Sequence, residues 1–111
     1  MDKRTILIDL DGVLNTYDGQ FEDFFIPPIA AHAYEFIKEL SMDYKIVIFT
    51  SRNLLSASKW VMDNKLENFI SDVTNIKIPA FLIIDDRCIN FSGNFSELKY
   101  NIDNFIPWYK K

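Results

Sequence analysis

Two pairs of aspartates follow short apolar segments of this chain, and they are the residues best suited to chemistry. Asp9 and Asp11 follow the segment 5–8, and the adjacent residues Asp85 and Asp86 follow a second such segment. Open α/β sheets bind ligands at the carboxyl ends of their strands. Neighbouring carboxylates repel each other unless a cation or a proton lies between them. The spacing therefore predicts a divalent-metal site at the rim of a sheet.

Apolar periodicity divides the chain into alternating strand and helix candidates. Strands are predicted at 5–9, 45–50, 69–73 and 81–85, and helices at 29–40, 53–64 and 96–104. Proline suits a helix start and asparagine suits an N-cap, which supports the helix boundaries at Pro27-Pro28 and at Asn53. Strands that alternate with helices form parallel sheets through crossover connections. The chain is therefore predicted to be one domain, residues 1–111, with a three-layer, doubly wound, Rossmann-like α/β fold.

Residues 15–28 follow neither a helical nor a strand period. They contain Tyr17, Gly19 and three phenylalanines, and they come soon after the first aspartate pair. A segment of this length is too short to form a second domain, so we expect a short flap loop over the rim of the first strand.

Composition argues against several classes of protein. The net charge is −4, the sequence pI is about 4.8, and 49% of the 111 residues are apolar. Proteins that bind extended nucleic acid are usually basic, so nucleic acid is a poor match as a partner, whereas a small anionic ligand fits a site that holds a cation. Cys88 is the only cysteine, which excludes an internal disulfide and favours a reducing compartment. No segment has the length needed to cross a bilayer, so we expect a cytoplasmic protein without a membrane partner.

The order of these features along the chain resembles the haloacid dehalogenase superfamily of phosphotransferases. The matching elements are the Asp-x-Asp-Gly-Val-Leu motif at 9–14, then Thr50, then Lys77, and then Asp85-Asp86. The segment 81–93 also resembles the acidic motif of the 5'(3')-deoxyribonucleotidase branch, whose members carry an inserted cap domain. This chain has no room for such a cap, so the resemblance implies a small, capless phosphatase.

The resemblance implies Mg²⁺ as the cofactor and gives each aspartate a role. Asp9 is the expected nucleophile, ionised at neutral pH because a free aspartate has a low pKa, and it would form an aspartyl-phosphate. Asp11 is the expected general acid and base, and its backbone carbonyl is an expected metal ligand. Asp85 would bind Mg²⁺ together with Asp9. Asp86 would bind it through water, or would serve only as a cap of the turn.

Five further residues are expected to surround the substrate. Thr50 and the backbone N–H of Ser51 would bind the transferring phosphoryl group, and Lys77 would neutralise its oxygens. Arg52 either contacts the substrate or forms a surface salt bridge, and Asn15 either contacts the leaving group or contacts nothing in the site. Both alternatives stay open for each of these two residues.

The implied function is Mg²⁺-dependent hydrolysis of a phosphate monoester, with a small phosphosugar or a nucleotide as the substrate. The alternative is a phospho-binding domain, either receiver-like or a non-catalytic relative. In a receiver the adjacent acidic pair ends the first strand, whereas here the adjacent pair follows the lysine, so the order of motifs favours the phosphatase. Trp108 and Tyr109 pack either on this domain or on a second copy, so a homo-oligomer also stays open.

Overall fold

Four apolar segments form the strands of a parallel sheet. They are β1 (Arg4–Asp9), β2 (Tyr44–Phe49), β3 (Ile70–Thr74) and β4 (Leu82–Ile84). In the computed structural model, which describes residues 2–111, the strands are ordered β3-β2-β1-β4 and each neighbouring pair is parallel. The prediction of an α/β fold with a parallel sheet is confirmed. Each predicted strand boundary lies within one residue of the observed one.

The two central strands are buried on both faces. Ile8 of β1 and Ile48 of β2 are paired in register and belong to one apolar core. Successive side chains of a strand point to opposite faces, so Leu7 and Val47 lie on the other face, where they too are buried. Strands covered on both faces read as continuous apolar runs, which is why these segments were recognisable in the sequence.

Helices α1 (Ala33–Leu40) and α2 (Leu54–Asp63) pack against one face of the sheet. Ile37 of α1 and Trp60 of α2 join the core residues of β1 and β2 in a single cluster. The N-cap of α2 is as predicted, since the side chain of Asn53 accepts a hydrogen bond of 3.1 Å from the N–H of Ser56. Helix α3 (Phe95–Asp103) is capped in the same way by Asn94 and buries none of its residues.

The predicted start of the first helix is wrong. Residue Ile29 pairs with Asn15 in an antiparallel bridge, and the N–H of Thr16 donates to the carbonyl of Pro28. These bonds use backbone groups that a helix starting at Ile29 would need. In addition, His32, just before α1, has a left-handed conformation with φ of +70°. The helix therefore begins at Ala33, and the flap loop 15–28 is closed by bonds between its two ends.

No helix within residues 2–111 combines the length and the apolar character needed to cross a membrane.

Candidate functional site

The topology of the sheet brings three aspartates together. Asp9 is the last residue of β1, and Asp85 and Asp86 directly follow β4, the parallel neighbour of β1. Each residue offers one carboxylate oxygen, and these oxygens lie within 4.8 Å of one another. We call Asp9, Asp85 and Asp86 the carboxylate cluster. Their approach follows from the strand order alone, because the carboxyl ends of adjacent parallel strands meet at one edge of the sheet.

The charge state of Asp9 differs from the sequence-based expectation. Burial is the largest cause of a rise in the pKa of Asp9 to about 9, and contact with Asp86 and the charges of Asp85 and Asp11 add to it. Without a cation, burial and the neighbouring carboxylates therefore both favour the protonated form of Asp9. A cation or a shared proton would relieve the part of this shift that comes from the repulsion between carboxylates.

The other two carboxylates of the cluster shift in opposite directions. Burial raises the pKa of Asp85. Burial also acts to raise the pKa of Asp86, but contacts with Asp9, Tyr109 and Asp85 outweigh it and the pKa is lowered. The three groups therefore titrate as a unit that shares protons.

The donor set of the cluster fits a hard divalent cation. Three carboxylates supply only oxygen ligands, which Mg²⁺ prefers. In addition, Oδ2 of Asp86 is buried and has no hydrogen-bond partner within the described part of the chain. A buried acceptor without a partner costs about 1–3 kcal/mol, so this oxygen is free to accept a hydrogen bond or to face a cation.

Asp11 lies beside the cluster and is held by two neighbours. Its Oδ2 accepts a hydrogen bond of 2.7 Å from Nε of Arg52, and its Oδ1 accepts one of 3.0 Å from Nδ2 of Asn15. The side chain of Arg52 is only 2% exposed, so the pair is not the surface salt bridge weighed above. Asn15 is also buried, and its Oδ1 accepts the N–H groups of Gly12 and Tyr17. Both residues therefore orient Asp11 and the loop around it.

The flap loop also contacts the guanidinium group of Arg52. Its Nη1 donates to the carbonyl of Glu22 at 2.9 Å, and its guanidinium carbon lies 4.5 Å from the centre of the Phe21 ring. Nη2 is buried without a partner among the residues described. Arg52 thereby connects the flap loop to Asp11 in the site.

Thr50 and Ser51 stand where β2 ends, next to β1. The hydroxyl of Thr50 accepts the N–H of Arg52 at 3.1 Å, and its own N–H donates to the carbonyl of Thr74. Thr50 and Ser51 share the wall of a cavity of about 300 Å³ with the aspartates. The full lining comprises Asp9, Asp11, Tyr17, Phe21, Phe49, Thr50, Ser51, Asp85, Asp86 and Arg87.

The structure does not bring Lys77 to this cavity. Lys77 lies in the connection between β3 and β4, where it is exposed. Because these strands are parallel, the connection returns from the carboxyl end of β3 to the amino end of β4, and Lys77 is not among the residues that line the cavity. The positively charged side chain that lines the cavity beside the cluster is that of Arg87.

Residues 108–110 also contact the site, although none of the sequence motifs points to them. The short 3-10 turn Trp108–Lys110, which we call the C-terminal turn, packs on the loop that carries Asp11 through contacts with Gly12. Nε1 of Trp108 donates a hydrogen bond of 2.7 Å to the carbonyl of Gly12. The ring of Tyr109 lies edge-on to that of Tyr17, with 5.9 Å between the ring centres. Trp108 and Tyr109 therefore pack on their own domain, one of the two alternatives left open above.

Two features of the structure require glycine at position 12. Its φ is +83°, in the left-handed region that favours glycine. A Cβ atom added there would overlap the carboxylate of Asp86 and would lie 2.9 Å from Cε1 of Tyr109. The glycine of the motif is thus required both by backbone conformation and by the close approach of these two side chains.

Comparisons with known proteins show a shared fold and nothing more specific. No protein-family model matches the chain, and a search of curated proteins finds no match. A solved structure, described as that of a conserved protein coded by a locus from Bacteroides thetaiotaomicron, aligns with a TM-score of 0.62 over 98% of this chain and 97% of that chain. The two sequences are 16% identical, so the likeness concerns the fold alone.

Proposed function

We propose that this protein is a Mg²⁺-dependent phosphatase of the haloacid dehalogenase type, which hydrolyses a phosphate monoester through an aspartyl-phosphate. The observation that carries the proposal is the meeting of Asp9, Asp85 and Asp86 at two neighbouring strand ends, in a cavity that Asp11 and Thr50 also line. A nucleophile, a proton-transfer group and a phosphate-binding hydroxyl are then within one site.

Asp9, Asp85 and Asp86 are the side chains that would hold the metal, together with the backbone carbonyl of Asp11. When bound, Mg²⁺ would offset the negative charge of the cluster and of the substrate phosphate. With that charge offset, the repulsion that adds to the raised pKa of Asp9 would be relieved, which favours the ionised form needed for attack.

The chemistry of the two steps belongs to Asp9 and Asp11. In the first step an oxygen of Asp9 forms a bond to phosphorus while the bond from phosphorus to the ester oxygen breaks, and Asp11 gives its proton to the leaving alkoxide. In the second step Asp11 takes a proton from water as the water oxygen attacks phosphorus, which releases phosphate and restores Asp9. Arg52 and Asn15 keep the carboxyl of Asp11 in place for both transfers.

Thr50 and Ser51 bind the phosphoryl group in this proposal. Phosphoryl transfer depends chiefly on positioning and on stabilisation of charge, and the hydroxyl of Thr50 and the N–H of Ser51 are neutral donors suited to that task. Arg87, which lines the cavity, takes the place expected for Lys77 as the neighbouring positive charge.

The substrate class that we propose is a small phosphosugar or nucleotide. A cavity of about 300 Å³ accepts a phosphate and a small leaving group. The acidic chain, with its net charge of −4, disfavours an extended nucleic acid.

The finer description of the fold is part of the same proposal. We propose a three-layer, doubly wound sheet without a cap, in which the flap loop 15–28 lies over the rim. Burial of Leu7 and Val47 on the face opposite α1 and α2 supports a third layer.

One observation favours a second candidate function. Both carboxylate oxygens of Asp11 are held by protein groups, Oδ2 by the buried guanidinium of Arg52 at 2.7 Å and Oδ1 by Asn15 at 3.0 Å. A domain in which Asp11 stays engaged with these partners would bind phosphate groups without turnover, as in the non-catalytic or receiver-like alternative.

The deciding experiment measures phosphate release with Mg²⁺ from a panel of phosphosugars, nucleotides and an aryl phosphate. Asp9→Asn is expected to reduce turnover about a thousand-fold or more, as loss of a nucleophile does in other enzymes. Asp43→Asn, an exposed aspartate after α1, is the matched control and should behave as the wild type. Turnover that survives in Asp9→Asn would contradict the proposal. Absence of release on the whole panel, with Mg²⁺ bound, would favour the phospho-binding alternative.

A further inference from the structure

The C-terminal turn packs beside the candidate site, against two loops that border it. Trp108 is anchored by its bond to the carbonyl of Gly12, 96 positions away in sequence. Lys110 approaches Gly19 on the flap loop, since a Cβ atom added at Gly19 would lie 3.1 Å from Cε of Lys110. The C-terminal turn thus touches both the loop that carries Asp11 and the flap loop.

Tyr109 occupies the centre of this contact. Its ring and the carboxylate of Asp86 flank Gly12, and its hydroxyl lies next to Asp86 and Arg87. The hydroxyl is buried without a hydrogen bond of full geometry in the described part of the chain, and the same is true of Oδ2 of Asp86. The hydroxyl of Tyr109 and Oδ2 of Asp86 are therefore a donor and an acceptor that are both buried without a partner and lie next to each other.

We propose that Tyr109 is a positioning residue of the metal site, whose hydroxyl donates a hydrogen bond to Oδ2 of Asp86 and so orients that carboxylate toward a cation. A carboxylate has two oxygens with two lone pairs each, so one oxygen can accept the phenol proton while the other faces the metal. Residues that hydrogen-bond to metal ligands fix the orientation of those ligands, and their loss usually costs about 10–100-fold in metal affinity or activity.

The proposal rests on the metal site of the proposed function but goes beyond it. Nothing in the motif at 9–14 or in Asp85-Asp86 points to a tyrosine near the end of the chain. The contact makes the C-terminal turn part of the site, with Trp108 as the anchor that brings Tyr109 to the carboxylates.

The test compares Tyr109→Phe with Tyr100→Phe in the full-length protein. Both variants remove one phenolic hydroxyl, but Tyr100 is an exposed residue of α3, whereas the hydroxyl of Tyr109 is buried next to Asp86. Binding of Mg²⁺ alone is measured by titration calorimetry, with Mn²⁺ as a spectroscopic probe of the same site, and the thermal midpoint of each metal-free protein is recorded alongside.

Tyr109→Phe is expected to weaken Mg²⁺ binding about ten-fold or more, with little change in the metal-free midpoint because the ring keeps its packing. Tyr100→Phe should bind Mg²⁺ as the wild type does. Wild-type affinity in Tyr109→Phe would overturn the positioning role while leaving the metal site intact. A wild-type protein that binds neither Mg²⁺ nor Mn²⁺ would overturn the metal site and this inference together.

Discussion

The helix-covered part of the sheet and the C-terminal part of the chain differ sharply in burial. In β1 and β2, the residues Ile8 and Ile48 have no exposed surface, whereas in β4 the residues Leu82 and Ile83 are 40% and 38% exposed. Helix α3 buries no residue, while α1 and α2 both contribute to the core. Yet the C-terminal part supplies Asp85, Asp86 and Tyr109 to the site. One part of the molecule provides most of the packing, and the other provides much of the candidate chemistry.

The difference is consistent with how stability is distributed in proteins. Elements with few buried apolar contacts open more easily than the core, and ligand-binding segments are often drawn from them. A site built where β1 meets β4 joins the two parts, because Asp9 belongs to the well-packed strand and Asp85 follows the exposed one. A cation bound between them would then tie the C-terminal part to the core.

The largest expected effect tests the difference in burial between the central strand β2 and the edge strand β4. Ile48→Ala is expected to lower the free energy of unfolding by about 2–5 kcal/mol, the usual cost of truncating a fully buried isoleucine. Ile83→Ala should cost about 1 kcal/mol, because a partly exposed side chain loses less apolar burial. Urea denaturation of the two variants measures both values. Equal losses would contradict the contrast and would show that β4 is covered in solution.

A second prediction concerns the metal-free carboxylate cluster. The pKa of Asp9 in the folded chain is about 9, above the ordinary value of 3.8 that applies to the unfolded chain. Between these values the native protein holds a proton that the unfolded chain releases, so stability falls as pH rises, by at most about 1.4 kcal/mol per pH unit for one proton. The exposed part of the cluster lessens this slope through solvent screening.

Asp9→Asn is therefore expected to be more stable than the wild type at mildly alkaline pH without metal, even though the proposed function predicts that it has lost activity. The amide has no proton to release and removes a negative charge from the cluster. Thermal midpoints in the presence of a chelator, at mildly acid and mildly alkaline pH, measure the effect. A difference between the two proteins that does not grow with pH would show that Asp9 is ionised in the metal-free protein.

The smallest expected effect compares two equivalent helix caps. Asn53→Ala, at the N-cap of α2, is expected to cost about 1 kcal/mol of global stability. Asn94→Ala removes the same kind of bond from α3, but α3 buries no residue, so its first turn should fray locally with a smaller global loss. Urea denaturation gives the global values, and hydrogen exchange of α3 detects the fraying. A global loss from Asn94→Ala as large as that from Asn53→Ala would place α3 in the same cooperative unit as α2.

Local patterns determined the elements of the fold well. Buried strands such as β1 and β2 are continuous apolar runs, and the Asn53 cap is a local hydrogen bond, so both are legible in a short window of sequence. The start of α1 was misjudged because the backbone near Ile29 bonds to Asn15 and its neighbours rather than within a helix. A bond to a distant segment leaves no mark on local periodicity.

The sequence by itself determined the types of residue that end the strands. Carboxylates at Asp9, Asp85 and Asp86, each after an apolar run, were visible as a metal-site hypothesis, because parallel strands bring their carboxyl ends to one edge. The aspartates need only the strand order to meet, which is why their proximity could be anticipated from the sequence.

Only the tertiary structure decided the surroundings of those carboxylates. It buried Asp9 enough to raise its pKa, paired Asp11 with Arg52, left Lys77 on an exposed connection, and placed Tyr109 beside Asp86. These outcomes depend on the paths of loops and on contacts between residues as far apart as Gly12 and Trp108. Such contacts depend on the packing of the whole chain. Strand and helix periodicity can be recognised in a short stretch of sequence, but the tertiary neighbours of a side chain cannot.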